Sequence, residues 1–468
     1  IRSMTQHLKN NPSFEFAYQK LNDKQKQAVD NLEGPLLVIA GPGTGKTQIL
    51  AIRIGNILLK TDLNPRNILC LTFTDSGAIN MRDRLLEFIG PTAYEIAIHT
   101  FHSFCNMVIR ENPESFEQYS SYEVISDLEK NQLILKILDD LDRSHLFYRY
   151  NRYYQRELFA LPQLFDKIKK ENWNPDQMQL DIDLFLEKEK DNPVYIYKRS
   201  SGSYKPGDFK QAAYDKEKAK LDKTKAAISL YSKYQDALDK LERYEFEDMI
   251  RWVLTKFQTD DLLLAKYQEL YQYILVDEFQ DTNGAQNQVL GQLLSYFDTP
   301  NVFAVGDDDQ AIYRFQGANV ENMIAFDRLY APSKIVLTEN YRSSQLILNA
   351  ADAVINNNTE RMVNLDAALS KNLIASGNSK SYTALPHFNE FEFEEHEILH
   401  ICQTVKSLLD QQIPGNQIAI LFLKNADAEP FIKWFEINKI PYQTSKQINV
   451  LHEPVSYTHL TLPTNREV

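Results

Sequence analysis

Short apolar runs alternate with helix-length periodic segments over residues 21–110. GPLLVIA (34–40) ends in the glycine-rich GPGTGKT, and QILAIRIGNILL (48–59) then repeats apolar residues at helical spacing. NILCLTFT (67–74) and AYEIAIHT (93–100) return to the strand pattern. Buried strands separated by helices predict a parallel sheet of the α/β type. From about 111 to 245 the pattern changes to long helical segments rich in Lys, Glu, Gln and Tyr, which predicts a helical insertion. YQYILVDE (271–278) and PNVFAVGD (300–307) restore the strands, so the sheet resumes and is expected to be complete within 21–335. SKIVLTEN (333–340) and GNQIAILFL (415–423) predict strands of a second α/β unit, with a polar loop at 371–390. The expected domains are 1–110 and 246–335 for the first α/β domain, 111–245 for the insertion, and 336–454 for an incomplete second domain.

At 468 residues there is room for roughly two to four domains, each with its own core. Cys70, Cys105 and Cys402 have neither disulfide nor metal-ligand spacing, which indicates a reducing compartment, the cytoplasm. No apolar run reaches the roughly 20 residues that span a bilayer. The opening IRSMTQHLKN lacks the apolar centre of a signal peptide. The last residues, 455–468, resemble at Val455–Thr464 a translated sequencing adapter and are set aside as a non-native tail, so a longer natural chain is expected. A formal charge of −13 argues against a nucleic-acid partner, but residues 198–227 hold nine Lys/Arg against four Asp/Glu. That stretch is either a solvated helix face or a phosphate-contacting patch.

AGPGTGKT (40–47) follows a strand and opens a helix, the setting of a phosphate-binding loop. Gly41, Pro42, Gly43, Thr44 and Gly45 would wrap backbone N–H groups around phosphates at a helix N-terminus. Lys46 would reach the β/γ-phosphates, and Thr47 would offer its hydroxyl to Mg²⁺. The strict pattern has Gly where this chain has Ala40. A nucleotide there needs acids at the end of a neighbouring strand, and YILVDEFQDTN (273–283) supplies them. Asp277 would hold Mg²⁺, and Glu278 would polarise the water that attacks the γ-phosphate of ATP.

Taken with LNDKQKQAV (21–29), LTFTDSGAINMRDRL (71–85), IHTFHSF (98–104), VGDDDQAIYRFQGA (305–318) and LTENYRSS (337–344), the set resembles the superfamily-1 helicases of the UvrD/Rep/PcrA group. The resemblance runs from about Leu21 to Pro454. It implies a P-loop NTPase with a RecA-like parallel-sheet domain, a helical insertion and a partial second RecA-like domain. It also implies an ATP-dependent DNA helicase that moves 3′→5′ on single strands and acts at single/double-strand junctions in repair or replication. By the same resemblance, Gln25 would read the adenine edge and Tyr341 would stack on the ring. Gln310 would sense the γ-phosphate, and Arg342 would act as an arginine finger in cis, worth on the order of 10³–10⁵ in rate. Phe73, His102, Tyr313 and Phe315 match positions along the single-strand path, where aromatic faces stack bases. Read from the residues alone, Phe73, Tyr313 and His102 fit a core as well, and Tyr341 and Arg342 beside Asn340 fit a capped helix start.

The chain departs from the family where Phe315-Gln316 replaces Trp-Arg, where Asp75 and Ser76 replace Asn-Lys, and where Gln48 replaces Arg. The family's later motifs are not found before Pro454. Two rival readings remain: a protein-displacing translocase with little unwinding, and a helicase subunit of a RecB-like helicase–nuclease.

Overall fold

The computed structural model describes residues 11–199, 204–311, 320–359, 361–365 and 369–444. The chain divides into two compact units, 1–384 and 385–468.

The first unit is built on a six-stranded, wholly parallel sheet. Its strands are β1 (Leu36–Ala40), β2 (Ile68–Thr72), β3 (Ala97–Thr100), β6 (Tyr273–Val276), β7 (Val302–Gly306) and β8 (Ser333–Leu337), in the order β3-β2-β6-β7-β1-β8. The continuous apolar runs arise because both faces are covered. Along β1, Leu36 and Val38 join one core with Ile49, Ile52 and Leu85, while Leu37 and Ile39 join the other with Phe104, Val253 and Val276. Every residue of β1, β2, β6 and β7 is buried.

Between β3 and β6 the chain leaves the sheet for a run of helices. Helices Asp127–Asp139, Gln155–Glu171 and Gln211–Lys240 share a separate core around Ile134, Phe165, Ile228 and Tyr234. The entry and exit of the insertion are joined by a short parallel pair, β4 (Glu123–Val124) with β5 (Arg243–Tyr244). Among the described residues no helix is long and apolar enough to cross a membrane.

Three sequence expectations need correction. Most of SKIVLTEN belongs to the first sheet: β8 pairs with β1 along its whole length, from Leu36↔Ser333 to Ala40↔Leu337, and only Glu339–Asn340 pairs elsewhere. An apolar run reports that a strand is buried, not which sheet buries it. Consequently the sheet is complete only at Leu337, two residues past the expected limit of 335. The polar 371–390 stretch is not all loop, since β10 (Ile374–Ala375) pairs with β9 (Glu339–Asn340). GNQIAILFL is not a strand: Gly415–Gln417 forms a 3-10 turn, and Leu421 and Leu423 are each 93% exposed. Among the described residues no backbone pairs with this run, and a strand without a ladder partner has nothing to hold it.

The second unit is described over 385–444. Helices Glu394–Asp410 and Ala428–Ile437 pack around Cys402, Val405 and Phe435. Glu394, Glu395 and Glu397 lie in the first turn of the first of these helices, where negative charge suits the dipole.

Candidate active site

The loop after β1 runs directly into helix Lys46–Lys60. Gly43 and Gly45 hold φ of 68° and 87°, backbone that glycine adopts without a side-chain clash. Gly43 has a second reason to be glycine: a Cβ there would stand 2.7 Å from both Asn340 Nδ2 and Arg342 Cβ. Inside the loop, the Thr44 hydroxyl donates to the Gly41 carbonyl at 2.7 Å. Thr47, in the first turn of the helix, is half-buried.

The segment Asn340–Arg342 grips this loop from outside. Asn340, fully buried, donates through Nδ2 to the Pro42 carbonyl, and the Tyr341 N–H donates to the Gly43 carbonyl at 2.9 Å. The other end of the Asn340 amide accepts from the N–H groups of Arg342 and Ser343 at 2.9 and 2.7 Å. Asn340 thus caps the turn as the residue pattern allowed, and the same turn sets Arg342 beside Gly43 with its side chain exposed.

Gln25 and Tyr341 come together at one end of the loop. Gln25 Nε2 donates to the Thr44 carbonyl at 2.8 Å, while its Oε1 accepts from the Asn22 N–H at 3.0 Å. Asn22 Nδ2 donates to the Tyr341 hydroxyl at 2.8 Å, which donates in turn to Glu339 at 3.0 Å. The Gln25 amide therefore fastens the loop to the helix Asp23–Asp30.

The acids arrive from β6, and here the expectation of a neighbouring strand needs correction. β7 lies between β6 and β1. The acids still reach the loop, because Glu278 turns back at φ 47°, a left-handed conformation that is uncommon for a residue with a side chain. Lys46 Nζ lies 2.5 Å from Glu278 Oε2. Gln280 Nε2 donates to the same Oε2 at 2.9 Å, and Gln280 Oε1 accepts from the Asp307 N–H at 2.9 Å. Gln280 is buried and links the ends of β6 and β7; a Cβ on Gly306 would meet its Oε1 at 2.7 Å.

Burial pushes the Asp277 carboxyl up to about 7, with Glu278 adding to the effect and Lys46 opposing it. Asp281 is pushed up to about 6 by burial and by Glu278, and its Oδ1 is buried without a hydrogen-bond partner among the described residues. The buried Asp277 carboxyl and the partnerless Asp281 Oδ1, both within the influence of Lys46, are hard oxygen donors of the kind that fits Mg²⁺. Among the described residues no group of three or more His, Cys, Asp or Glu could hold a metal.

Past β7, Gln310 Nε2 donates to Asp307 Oδ2 at 2.6 Å. Two residues that the sequence reading missed hold this acidic run. Lys371 Nζ lies 2.6 Å from Asp307, 2.7 Å from Asp308 and 2.7 Å from Asp309. Arg361 forks onto Asp309 at 2.7 and 2.8 Å. An acidic triplet entering a buried turn requires cations, but nothing local said they would come from more than 50 residues away.

Of the expected DNA contacts, Phe73 and His102 lie at the carboxyl ends of the paired strands β2 and β3. Phe73 is 37% exposed, which rules out the core alternative for it. His102 is half-buried in the first turn of helix Phe101–Glu111; burial lowers its pKa, and its Nε2 stands 3.9 Å from Glu247, beyond hydrogen-bond reach. Tyr313 and Phe315 lie outside the described residues.

Residues 21–331 match the UvrD/REP helicase N-terminal domain, and residues 335–454 match the UvrD-like helicase C-terminal domain. The chain is 30% identical over 427 residues to the ATP-dependent DNA helicase PcrA of Staphylococcus aureus (strain Mu50 / ATCC 700699), covering 90% of this chain and 50% of that protein. The PcrA of Staphylococcus epidermidis (strain ATCC 12228 / FDA PCI 1200) is 30% identical over 436 residues, covering 91% and 50%. The chain spans about half the length of these curated relatives. With a P-loop, an acid pair and an Asn-Tyr-Arg turn closing on one another at the carboxyl edge of a parallel sheet, the chain belongs to the UvrD/REP helicase family.

Proposed function

We propose that this protein is an ATP-dependent DNA helicase that moves 3′→5′ on single-stranded DNA and separates strands at single/double-strand junctions. The observation that carries the reading is the contact of Lys46 with Glu278 on one side of the loop and of Asn340–Arg342 on the other. ATP phosphates entering the loop would take Lys46 from Glu278. Glu278, kept in place by Gln280, would then accept the proton of the attacking water. Arg342, exposed beside Gly43, would meet the γ-phosphate from the far side. Asp277 and Thr47 would hold Mg²⁺, which neutralises phosphate charge when bound.

Gln310 would pass the state of the γ-phosphate to the DNA path through Asp307, to which it is bonded. Phe73 and His102, with Tyr313 and Phe315, would contact bases by stacking, so movement would be indifferent to sequence. Opening and closing of the loop against the 340–342 turn with each ATP would drive the strand along. We read 1–110 and 246–337 as one RecA-like domain, 111–245 as its insertion and the remainder to 454 as part of a second. A cytoplasmic role in DNA repair or replication, with partner proteins of those pathways, fits this reading. The test is strand separation by duplexes carrying a 3′ or a 5′ single-stranded tail. ATP-dependent unwinding confined to the 3′-tailed duplex is expected, and unwinding confined to the 5′-tailed one would reverse the polarity.

A further inference from the structure

The peptide that joins Asn340 to Tyr341 is held from two directions. In a trans peptide the N–H and the C=O point opposite ways. Here the Tyr341 N–H donates to the Gly43 carbonyl of the phosphate loop at 2.9 Å. The Asn340 carbonyl accepts from the N–H groups of Ser376 and Gly377 at 2.7 and 3.3 Å. Residues 374–377 therefore back the turn from the side away from the loop. They continue the pairing of β10 with β9, and the Ile374 N–H donates to the Thr338 carbonyl at 2.8 Å. Gln345 fastens the same segment: its Nε2 donates to the Leu373 carbonyl at 3.1 Å, and its Oε1 accepts from the Ala375 N–H at 2.8 Å.

The next peptide, from Tyr341 to Arg342, has no spare room on that side. A Cβ on Gly377 would overlap the Tyr341 carbonyl oxygen and stand 2.6 and 2.8 Å from its carbonyl carbon and Cα. All three atoms are backbone, so no change of rotamer relieves the overlap. Gly43 is as tight on Arg342 from the loop, but its left-handed backbone already favours glycine. Gly377 has a φ of −82°, which any residue adopts. Its missing side chain answers to the close approach alone.

We propose that Gly377 is a positioning residue for Arg342: its bare Cα is the backstop that fixes the Tyr341–Arg342 peptide against the phosphate loop. The inference rests on the reading of Arg342 as the residue that meets the γ-phosphate. A methyl group on Gly377 leaves two ways out. Either residues 374–377 leave the Asn340 carbonyl, or the Tyr341–Arg342 peptide shifts. Both re-aim the guanidinium, and a displacement of about 1 Å can cost about 10²-fold in rate. Phosphates that precede the γ position are held by the loop itself and are not affected by this route.

The test measures ATP hydrolysis by the whole chain with saturating single-stranded oligonucleotide, beside its affinity for ADP, which lacks the γ-phosphate. Gly377→Ala is expected to lower kcat by about 10²-fold, while ADP affinity stays within about threefold. Arg342→Ala is expected to be at least as slow. The double variant is expected to be no slower than Arg342→Ala alone, because a guanidinium that is absent cannot be misplaced. Ser376→Pro removes one donor to the Asn340 carbonyl and sets no Cβ against Tyr341. It is expected to lower kcat by the same route, and it carries the test if Gly377→Ala does not fold. Three results would each overturn the proposal: wild-type kcat in the folded variant, ADP affinity falling in step with kcat, or a double variant slower than Arg342→Ala by the full Gly377→Ala factor. A wild-type rate in Arg342→Ala would overturn the reading of Arg342 itself, and the proposal with it.

Discussion

Lys46 Nζ meets Glu278 Oε2 at 2.5 Å, across a strand that separates their own two in the sheet. The lysine expected to hold phosphate is thus held by the carboxylate expected to activate water. Phosphate and Glu278 compete for one ammonium. Glu278→Gln removes the competing charge, so it is expected to bind a fluorescent ATP analogue at least as tightly as the wild type. Lys46→Ala removes the cation itself and is expected to bind far more weakly. Weaker binding by Glu278→Gln in a fluorescence titration would mean that the pair supports the loop and does not compete with phosphate.

Asp277 gives a pH dependence with a definite sign. Its folded pKa of about 7 lies above the ordinary 3.8, so the folded state binds the extra proton between those values. Stability from this group is therefore fully present below the ordinary pKa and declines as pH rises to about 7. Asp281 adds the same trend up to about 6. Asp277→Asn is expected to lessen the loss of thermal stability between pH 5 and 8, an interval of roughly the span that linkage assigns. Mg²⁺ with nucleotide is expected to bind more tightly as pH rises and to release protons below about pH 7, where this carboxyl is at least half protonated. Calorimetry in buffers of different ionisation enthalpy reads that release directly.

Lys371→Met is expected to be costly although its position is remote from the loop in sequence. It leaves three aspartates, two of them buried, with Arg361 on Asp309 as the remaining cation among the described residues. Breaking a buried pair of this kind typically costs about 3–5 kcal/mol. Chemical denaturation monitored at the first unit measures it, and a change below about 1 kcal/mol, the scale of an exposed pair, would place the cluster in solvent.

Much of this arrangement was legible because its signals are local. The loop 40–47, the acids after β6 and the two-faced apolar strands each declare themselves within a few residues. Partnership across the chain does not. Lys371 and Arg361 sit in polar stretches that resemble any solvated loop, and Gln280 stands in plain sight within YILVDEFQDTN while its bond to the Asp307 N–H requires the folded sheet. Asn340 was noticed as a cap, yet its reach to the Pro42 carbonyl is tertiary. Ile418–Leu423 shows the converse error: it has the composition of a strand and, among the described residues, no partner to make it one.

The register of β8 makes one correction testable. A chain ended at Pro332 loses the strand that pairs with β1 and exposes the apolar edge carrying the phosphate loop. It is expected to aggregate more readily than a chain ended at Ala384, where the first compact unit closes. Light scattering on heating separates the two, and equal behaviour would mean that β8 is dispensable to the sheet.

The central claim, that Lys46, Asp277 and Glu278 hydrolyse ATP in response to single-stranded DNA, is tested most directly by steady-state ATP hydrolysis with and without an oligonucleotide. The wild type is expected to show hydrolysis stimulated by single strands, and Glu278→Gln to lose about 10²–10⁴-fold of it, the range of a general base. Hydrolysis by Glu278→Gln at the wild-type rate, or a wild-type rate indifferent to DNA, would contradict the account.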